Sequence, residues 1–211
     1  MRFETHSHSY YSNIRLIDSI CSPKNLIKTA SSLGMAGICL TDHEALCGHI
    51  EWLEEEKALK EKGEISQDFK CGLGNEIYLV KERTTEKQKY FHFILIAKND
   101  IGHRALRELS SNSWLNSYHQ GRMERVPTLY NELEAIVKKY PNSLIATNAC
   151  LGGFIGERVL ALIEAEKLNN MTEAYSIKQE INSFILWAKE LFGEDFYCEL
   201  APGTSSDQIE F

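Results

Sequence analysis

Five separated places in this sequence carry residues able to bind a metal ion. His6-Ser7-His8 closes a β-rich run near the amino terminus. Residues two apart in a strand point to one face, so both imidazoles can converge on a point, and such a pair is a frequent way to hold Zn²⁺ or Mn²⁺. Thr41-Asp42-His43 follows the apolar run Ala36–Leu40. A buried parallel strand ending in Asp-His presents polar side chains at its carboxyl end, where barrel enzymes keep their active sites; Thr41 or Asp42 could equally cap a following helix. Glu76 and His92 are single ionisable residues inside apolar runs, a position rarely tolerated without a partner or an ion. His92 lies near the beginning of its run, and a core histidine satisfied by a backbone carbonyl is the alternative reading. The fifth place is Thr147-Asn148-Ala149-Cys150-Leu151-Gly152-Gly153. Its glycines suggest a sharp turn whose N–H groups could approach an anion, and its thiolate would be a soft ligand among N and O donors. As a nucleophile Cys150 is less persuasive, because no single histidine is marked as its base.

Positioning these residues falls to alternating short β-rich runs and longer helical patterns. The patterns predict strands at Phe3–His8, Gly37–Asp42, Gly74–Val80, Tyr90–Ala97, Ser143–Asn148 and Phe196–Leu200. Helices are predicted at Ser22–Leu33, Ala45–Lys62, Ile101–Gln120, Thr128–Tyr140, Phe154–Leu168 and Met171–Phe192. Alternation of this kind implies an α/β fold of parallel strands with helical crossovers. The charged stretch Lys81–Lys89 reads as a solvated hairpin tip. The basic turn Gly121-Arg122-Met123-Glu124-Arg125 could touch a polyanion, although loose surface arginines are more common.

With 211 residues, 43% of them hydrophobic, the chain can bury a sizeable core in one domain. No apolar run approaches the ~20 residues of a membrane span, and Met1-Arg2-Phe3-Glu4 lacks a signal-peptide core, so a cytoplasmic location is expected. A formal charge of −7 argues against nucleic-acid binding by bulk charge, while leaving room for an enzyme that meets phosphates through metal ions. The six cysteines form no C-x-x-C, which excludes a zinc finger or a thioredoxin-type motif.

In order, His-x-His, Thr-Asp-His, Gly-Asn-Glu-Ile-Tyr, His-Phe-Ile-Leu-Ile-Ala-Lys-Asn and Cys-Leu-Gly-Gly resemble the polymerase and histidinol phosphatase (PHP) domain. The likeness is nearest to the PHP domain that opens the alpha subunit of bacterial and phage DNA polymerase III, and it covers essentially all of residues 1–211. The resemblance implies a distorted seven-stranded β/α barrel. It implies two or three divalent ions (Zn, Mn or Fe, with Mg in the polymerase context) held by His6, His8, Asp18, His43, Glu76, His92 and Cys150, with His8, His43 and Glu76 nearest the chemistry. The family's final ligands, an Asp-x-His pair, come from a strand not found before Phe211, so a fragment of a longer polymerase chain is expected. The implied activity is metal-dependent phosphoester hydrolysis, in its polymerase-linked form 3′→5′ removal of nucleotides from DNA. Implied partners are a DNA 3′ end or single strand, the polymerase domains of the same chain and a proofreading exonuclease subunit. Two rivals are a non-catalytic docking module of the replicase and a stand-alone small-molecule phosphatase of the histidinol phosphatase type.

Overall fold

The computed structural model describes residues 2–14, 17, 19–84, 86–200, 205, 206 and 209. In chain order its elements are β1 (Phe3–Glu4), α1 (Pro23–Ser32), β2 (Gly37–Leu40), α2 (His49–Glu61), β3 (Lys70–Val80), β4 (Phe91–Ala97), α3 (Asp100–Leu115), β5 (Tyr118–Gln120), β6 (Met123–Arg125), β7 (Thr128–Leu129), α4 (Tyr130–Lys139), β8 (Leu144–Thr147), α5 (Phe154–Lys167), α6 (Met171–Phe192) and β9 (Phe196–Tyr197). The main sheet runs β1-β2-β3-β4-β8-β9, with β7 beside the far end of β3. It curls into part of a barrel.

Every pairing in that sheet is parallel except those of β4, which is antiparallel to both β3 and β8. The parallel strands expected from strand–helix alternation are thus found except at β4, which the hairpin expected over Lys81–Lys89 turns back against β3. Val80 and Phe91 are joined by a polar connector too short for a helical crossover, so the chain must return antiparallel. The six expected strands form the path β1-β2-β3-β4-β8-β9 of the seven-stranded main sheet; its seventh strand, β7, and the separate pair β5 and β6 are additional. The predicted helix to Gln120 stops at Leu115 because Tyr118–Gln120 and Met123–Arg125 form a hairpin. Gly121 takes φ +64° as the first residue of its two-residue turn, a backbone region glycine enters without cost.

Helix starts follow local chemistry. Ser22 accepts from the Asn25 N–H and Pro23 occupies the first turn of α1. Asn99 does the same for α3 through Gly102. By contrast α2 begins at His49 rather than Ala45, because tertiary bonds hold the backbone before it. The Glu44 N–H donates to the Glu76 carbonyl at 2.8 Å, and the Trp114 indole donates to the Glu44 carbonyl at 2.8 Å.

The core lies mainly on one face of the sheet. Leu79, Phe93 and Leu95 pack there against Leu106, Leu109, Leu133 and Phe184 of α3, α4 and α6. A second cluster seats Ile27 of α1 and Trp52 and Leu59 of α2 on Ile38 and Leu40 of β2. These layers hold the strand ends that carry the polar residues. Among the described residues no helix is long and apolar enough to cross a membrane.

One buried histidine belongs to this framework. His49 donates through Nε2 to the Gly74 carbonyl at 2.9 Å, and its Nδ1 faces His103 Nε2 at 3.1 Å. Burial, opposed by the Gly74 bond, pushes its pKa down to about 4. Its folded pKa lies below the unfolded value of 6.5, so its contribution is complete above pH 6.5 and disappears as pH falls toward 4. A difference of that size is worth about 3 kcal/mol. Denaturant titrations between pH 7 and 4 are expected to show a steeper loss of stability for the parent than for His49→Gln. Equal slopes would remove His49 as the cause.

Candidate metal centre

Reversal of β4 brings the beginning of that strand to the same end of the sheet as the carboxyl ends of its neighbours. His92, early in β4, opposes Tyr78 of β3 and so stands beside residues that come late in the parallel strands. His6 and His8 follow β1, His43 follows β2, Glu76 lies within β3, and Cys150 follows β8. The structure gathers these six residues at one end of the sheet. Asp18 lies outside the described residues.

Glu76 is the centre of the group and is completely buried. Its two oxygens face different pairs of rings. Oε2 lies 2.7 Å from His6 Nε2 and 3.4 Å from His8 Nε2. Oε1 lies 2.9 Å from His43 Nδ1 and 2.7 Å from His92 Nδ1. His6 and His8 approach each other at 2.9 Å between their Nε2 atoms, and His8 stacks on His43 with centroids 4.2 Å apart. Cys150 Sγ sits 3.8 Å from His92 Nδ1.

The surroundings decide which ring nitrogens face the cluster with a lone pair. Ser12 Oγ donates to Asp42 at 2.8 Å, leaving its own lone pairs for His8 Nδ1–H at 3.2 Å. His8 Nε2 is then the acceptor nitrogen, turned toward Glu76. His6 is held likewise: its Nδ1–H faces Glu199 Oε1 at 2.8 Å, which turns Nε2 inward. Glu199 is fixed in turn by Thr147 Oγ1 at 3.2 Å and, through its backbone N–H, by Asn148 Oδ1. Sequence reasoning places Glu199 within a strand and assigns it no role. The signal that marks Glu76, a lone carboxylate in an apolar run, is present in Phe-Tyr-Cys-Glu-Leu too.

Asp42 caps no helix, which corrects one reading of Thr-Asp-His. It accepts from the Ser9 N–H, the Ser9 hydroxyl and the Ser12 hydroxyl at 2.7–2.8 Å, pinning the segment after His8. The glycine turn is fastened to its surroundings, and against burial the Gly152 N–H helps hold the Cys150 thiol low. Gly153 N–H donates to the Cys150 carbonyl at 2.9 Å, and the Gly152 carbonyl accepts from His92 N–H at 3.0 Å, so the turn closes on itself and ties to β4. A Cβ at Gly152 would meet the His92 ring at 2.9 Å, and one at Gly153 would run into the Asn148 carbonyl. Two non-glycine residues beside the cluster, Glu44 and Ala149, adopt φ of +50° and +57°. Such positions cost of order 1 kcal/mol or more and persist where the surroundings over-determine them.

Electrostatics match the geometry. Burial disfavours a charge on Glu76, yet the imidazoles beside it, His43 and His6 foremost, hold its carboxyl well below the usual range. Burial also opposes charge on His6, but Glu199 and Glu76 prevail and push its pKa to about 10. His92 reaches about 10 against burial through Cys150 and Glu76, and the Cys150 thiol is lowered against burial by His92. By contrast, burial pushes Cys39 and Cys71 up to about 12, as inert packing thiols. A donor set that draws protons this strongly draws cations too, and ions must displace those protons. His6, His8 and Glu76 bring one donor atom each to within 4.8 Å of one another. Neutral imidazole, carboxylate and thiolate together suit Zn, Fe or Mn better than Ca.

The PHP domain family matches residues 4–202, nearly the whole chain. The chain belongs to the PHP domain family. Relatives are long polymerases. Over 212 residues it is 40% identical to the protein named "Probable DNA polymerase YorL" of Bacillus subtilis (strain 168) and to a DNA-directed DNA polymerase of Bacillus phage SPbeta, covering 97% of this chain and 16% of each relative. Identity to DNA polymerase III subunit alpha of Borreliella burgdorferi is 35% over 210 residues, 96% of this chain and 15% of that protein. This PHP domain thus spans about a sixth of the length of the polymerases it matches.

Glu199 carries a testable consequence. Removing a carboxylate that orients a ligating histidine typically costs 10–100-fold in metal affinity. Glu199→Gln is expected to weaken metal retention by about that factor, measured by competition with a chelator, while the fold survives. Unchanged retention would show that the His6–Glu199 contact does not orient the ligand.

Proposed function

We propose that this chain is the PHP domain of a DNA polymerase III alpha-type replicative polymerase, and that its cluster hydrolyses phosphodiester bonds, removing nucleotides from a DNA 3′ end. The observation that carries the reading is the buried Glu76 carboxylate, each oxygen of which faces its own pair of imidazoles. Such a donor set would suit two ions. His6 and His8 would hold one of them, and His43 and His92, with Cys150 beside them, the other. Family membership and the polymerase names of the relatives support the substrate class.

Divalent ions bound here would supply a water of lowered pKa and neutralise charge on the attacking and leaving oxygens. The chain's own residues do the rest. Asp42 and Ser12 fix the tautomer of His8, and Glu199 fixes that of His6. Tyr78 places its hydroxyl 3.0 Å from His43 Nδ1 and its ring against His92 at 4.6 Å, limiting rotation of both imidazoles. Glu76, kept ionised by its neighbours, balances positive charge in a buried setting that would otherwise reject it.

The test is metal analysis of the purified chain together with incubation on 3′-labelled single-stranded DNA and on a phosphomonoester. Expected are bound transition metal and release of labelled mononucleotide that chelation stops. Bound metal without DNA hydrolysis would favour the docking module, and hydrolysis of the monoester alone would favour the small-molecule phosphatase.

A further inference from the structure

The face of β3 and β4 that carries the cluster continues outward beyond it. Directly opposed residues of an antiparallel pair share a face, and every second residue returns to it. Tyr78 opposes His92 and Glu76 opposes Ile94, so Glu76, Tyr78 and His92 form one row. Tyr90, two residues before His92, extends that row by about 7 Å. Its hydroxyl meets Tyr118 at 2.8 Å, and the Arg125 guanidinium lies 4.5 Å over its ring. Tyr118 and Arg125 are themselves a cross-strand pair of the β5–β6 hairpin. Gln88 bonds Tyr118 and Gln120 bonds the Glu86 carbonyl, tying the hairpin to the stretch before β4. The hairpin is thus fastened to the outer end of the row of candidate ligands.

Basic side chains outnumber the acids Glu86 and Glu124 at this rim. Lys87, Lys89, Arg122 and Arg125 stand here in a chain of net charge −7. Lys89 pairs with Glu157. Lys87 and Arg122 are exposed and make no ion pair among the described residues. Glu124, the acid within the hairpin, accepts from the Ser117 hydroxyl at 2.7 Å. Unpaired cations beside planar aromatic and guanidinium faces are what single-stranded nucleic acid takes: phosphates meet the cations, and bases stack whatever their sequence.

We propose that the β5–β6 hairpin and the Lys87–Tyr90 stretch receive single-stranded DNA and lead its end to the cluster, with Lys87 and Arg122 on phosphates and the Tyr90–Arg125–Tyr118 array under bases. The role as a guide rests on the phosphodiesterase reading above; the binding surface does not. An acidic protein that must meet a polyanion needs such a local basic entry, because its net field repels the substrate.

The experiment measures anisotropy of a labelled oligo-dT carrying a non-hydrolysable 3′ linkage, at several salt concentrations, with the metal-loaded chain. Lys87→Glu/Arg122→Glu is expected to weaken binding at least tenfold and to flatten the salt dependence, by roughly 0.7 in log–log slope for each phosphate no longer neutralised. Metal content and melting temperature should stay at the parent's values, which excludes misfolding. The control Lys62→Glu/Lys189→Glu makes the same charge change at exposed positions on α2's end and α6 and is expected to bind nearly as the parent does. Parent-like binding by the hairpin variant, equal loss in the control, or no binding by the parent would each overturn the proposal. Hydrolysis is followed separately on the parent: binding that depends on the hairpin without any hydrolysis would leave the surface in place and remove the phosphodiesterase reading instead.

Discussion

Replacing Glu76 with glutamine is expected to strip the chain of most of its bound metal and to lower phosphodiester hydrolysis by about three orders of magnitude. The substitution keeps shape and volume but exchanges one carboxylate oxygen for an amide that donates. Whichever way it turns, the amide faces two imidazole nitrogens at a position where both oxygens now lie 2.7–3.4 Å from rings. Half the acceptor capacity and all the negative charge disappear from a fully buried point. Metal ions contribute several kcal/mol to such reactions, and about 4 kcal/mol is a factor of roughly a thousand in rate. Metal analysis, rate measurement and a melting curve on the same preparation decide the matter. A glutamine variant that keeps both its metal and its rate would place the chemistry elsewhere.

Chelation is expected to lower the melting temperature of the parent by about 5–10 °C. The candidate ligands come from five separated segments, so the unfolded chain offers no comparable site and binding energy appears as folding energy. Ion at a hundredfold excess over its dissociation constant contributes about 2.7 kcal/mol, and a chain of this length shifts by about 2–4 °C per kcal/mol. The effect has a pH signature. Without ions, His6 and His92 carry raised pKa values of about 10 against 6.5 unfolded. Their contribution is complete below pH 6.5 and is lost as pH rises toward 10. Glu76, with a lowered pKa, contributes above its unfolded value of 4.5 and loses this as pH falls. The metal-free cluster is therefore most stabilising between about pH 4.5 and 6.5, whereas ions need deprotonated imidazoles and gain as pH rises. The difference in melting temperature should widen from pH 6.5 to 9. A constant or vanishing difference would contradict a metal site at Glu76.

Much of this arrangement is legible in the residues, and its gaps have physical causes. The apolar runs around Ile38, Ile77, Leu95 and Leu144 announce strands because nothing else explains short β-branched stretches bounded by turns. Strand direction is not legible within an apolar run, which reads the same both ways; only the hairpin reading of Lys81–Lys89 signals that β4 turns back. His92 looks misplaced for that reason only; in an antiparallel β4 the beginning of the run is the correct end. The Tyr118–Arg125 hairpin is hidden because its six paired residues are too few to break a helical pattern, leaving Gly121 as the one local sign. Glu199 carries the same lone-carboxylate signal as Glu76, but its partner His6 lies 193 residues away, and no local pattern records so distant a contact. Asp42 reads as a cap because a side chain that reaches back to Ser9 and Ser12 looks, in sequence, like one that reaches forward.

The His6–Glu199 pairing also orders events during folding. Glu76 and His92 sit on adjacent strands joined by a short link, so they meet after closing a small loop. His6 meets Glu199 only when nearly the entire chain is enclosed, an entropic cost that grows with loop length. Topologies rich in such distant pairings assemble slowly. The β3–β4 half of the cluster can therefore exist before the half built on the first and last strands, and the latter opens first when the structure loosens. An ion bound by residues of both halves would act as a clasp on the seam of the fold, and its loss should be felt earliest as opening of β1 and β9 while the centre of the sheet stays closed.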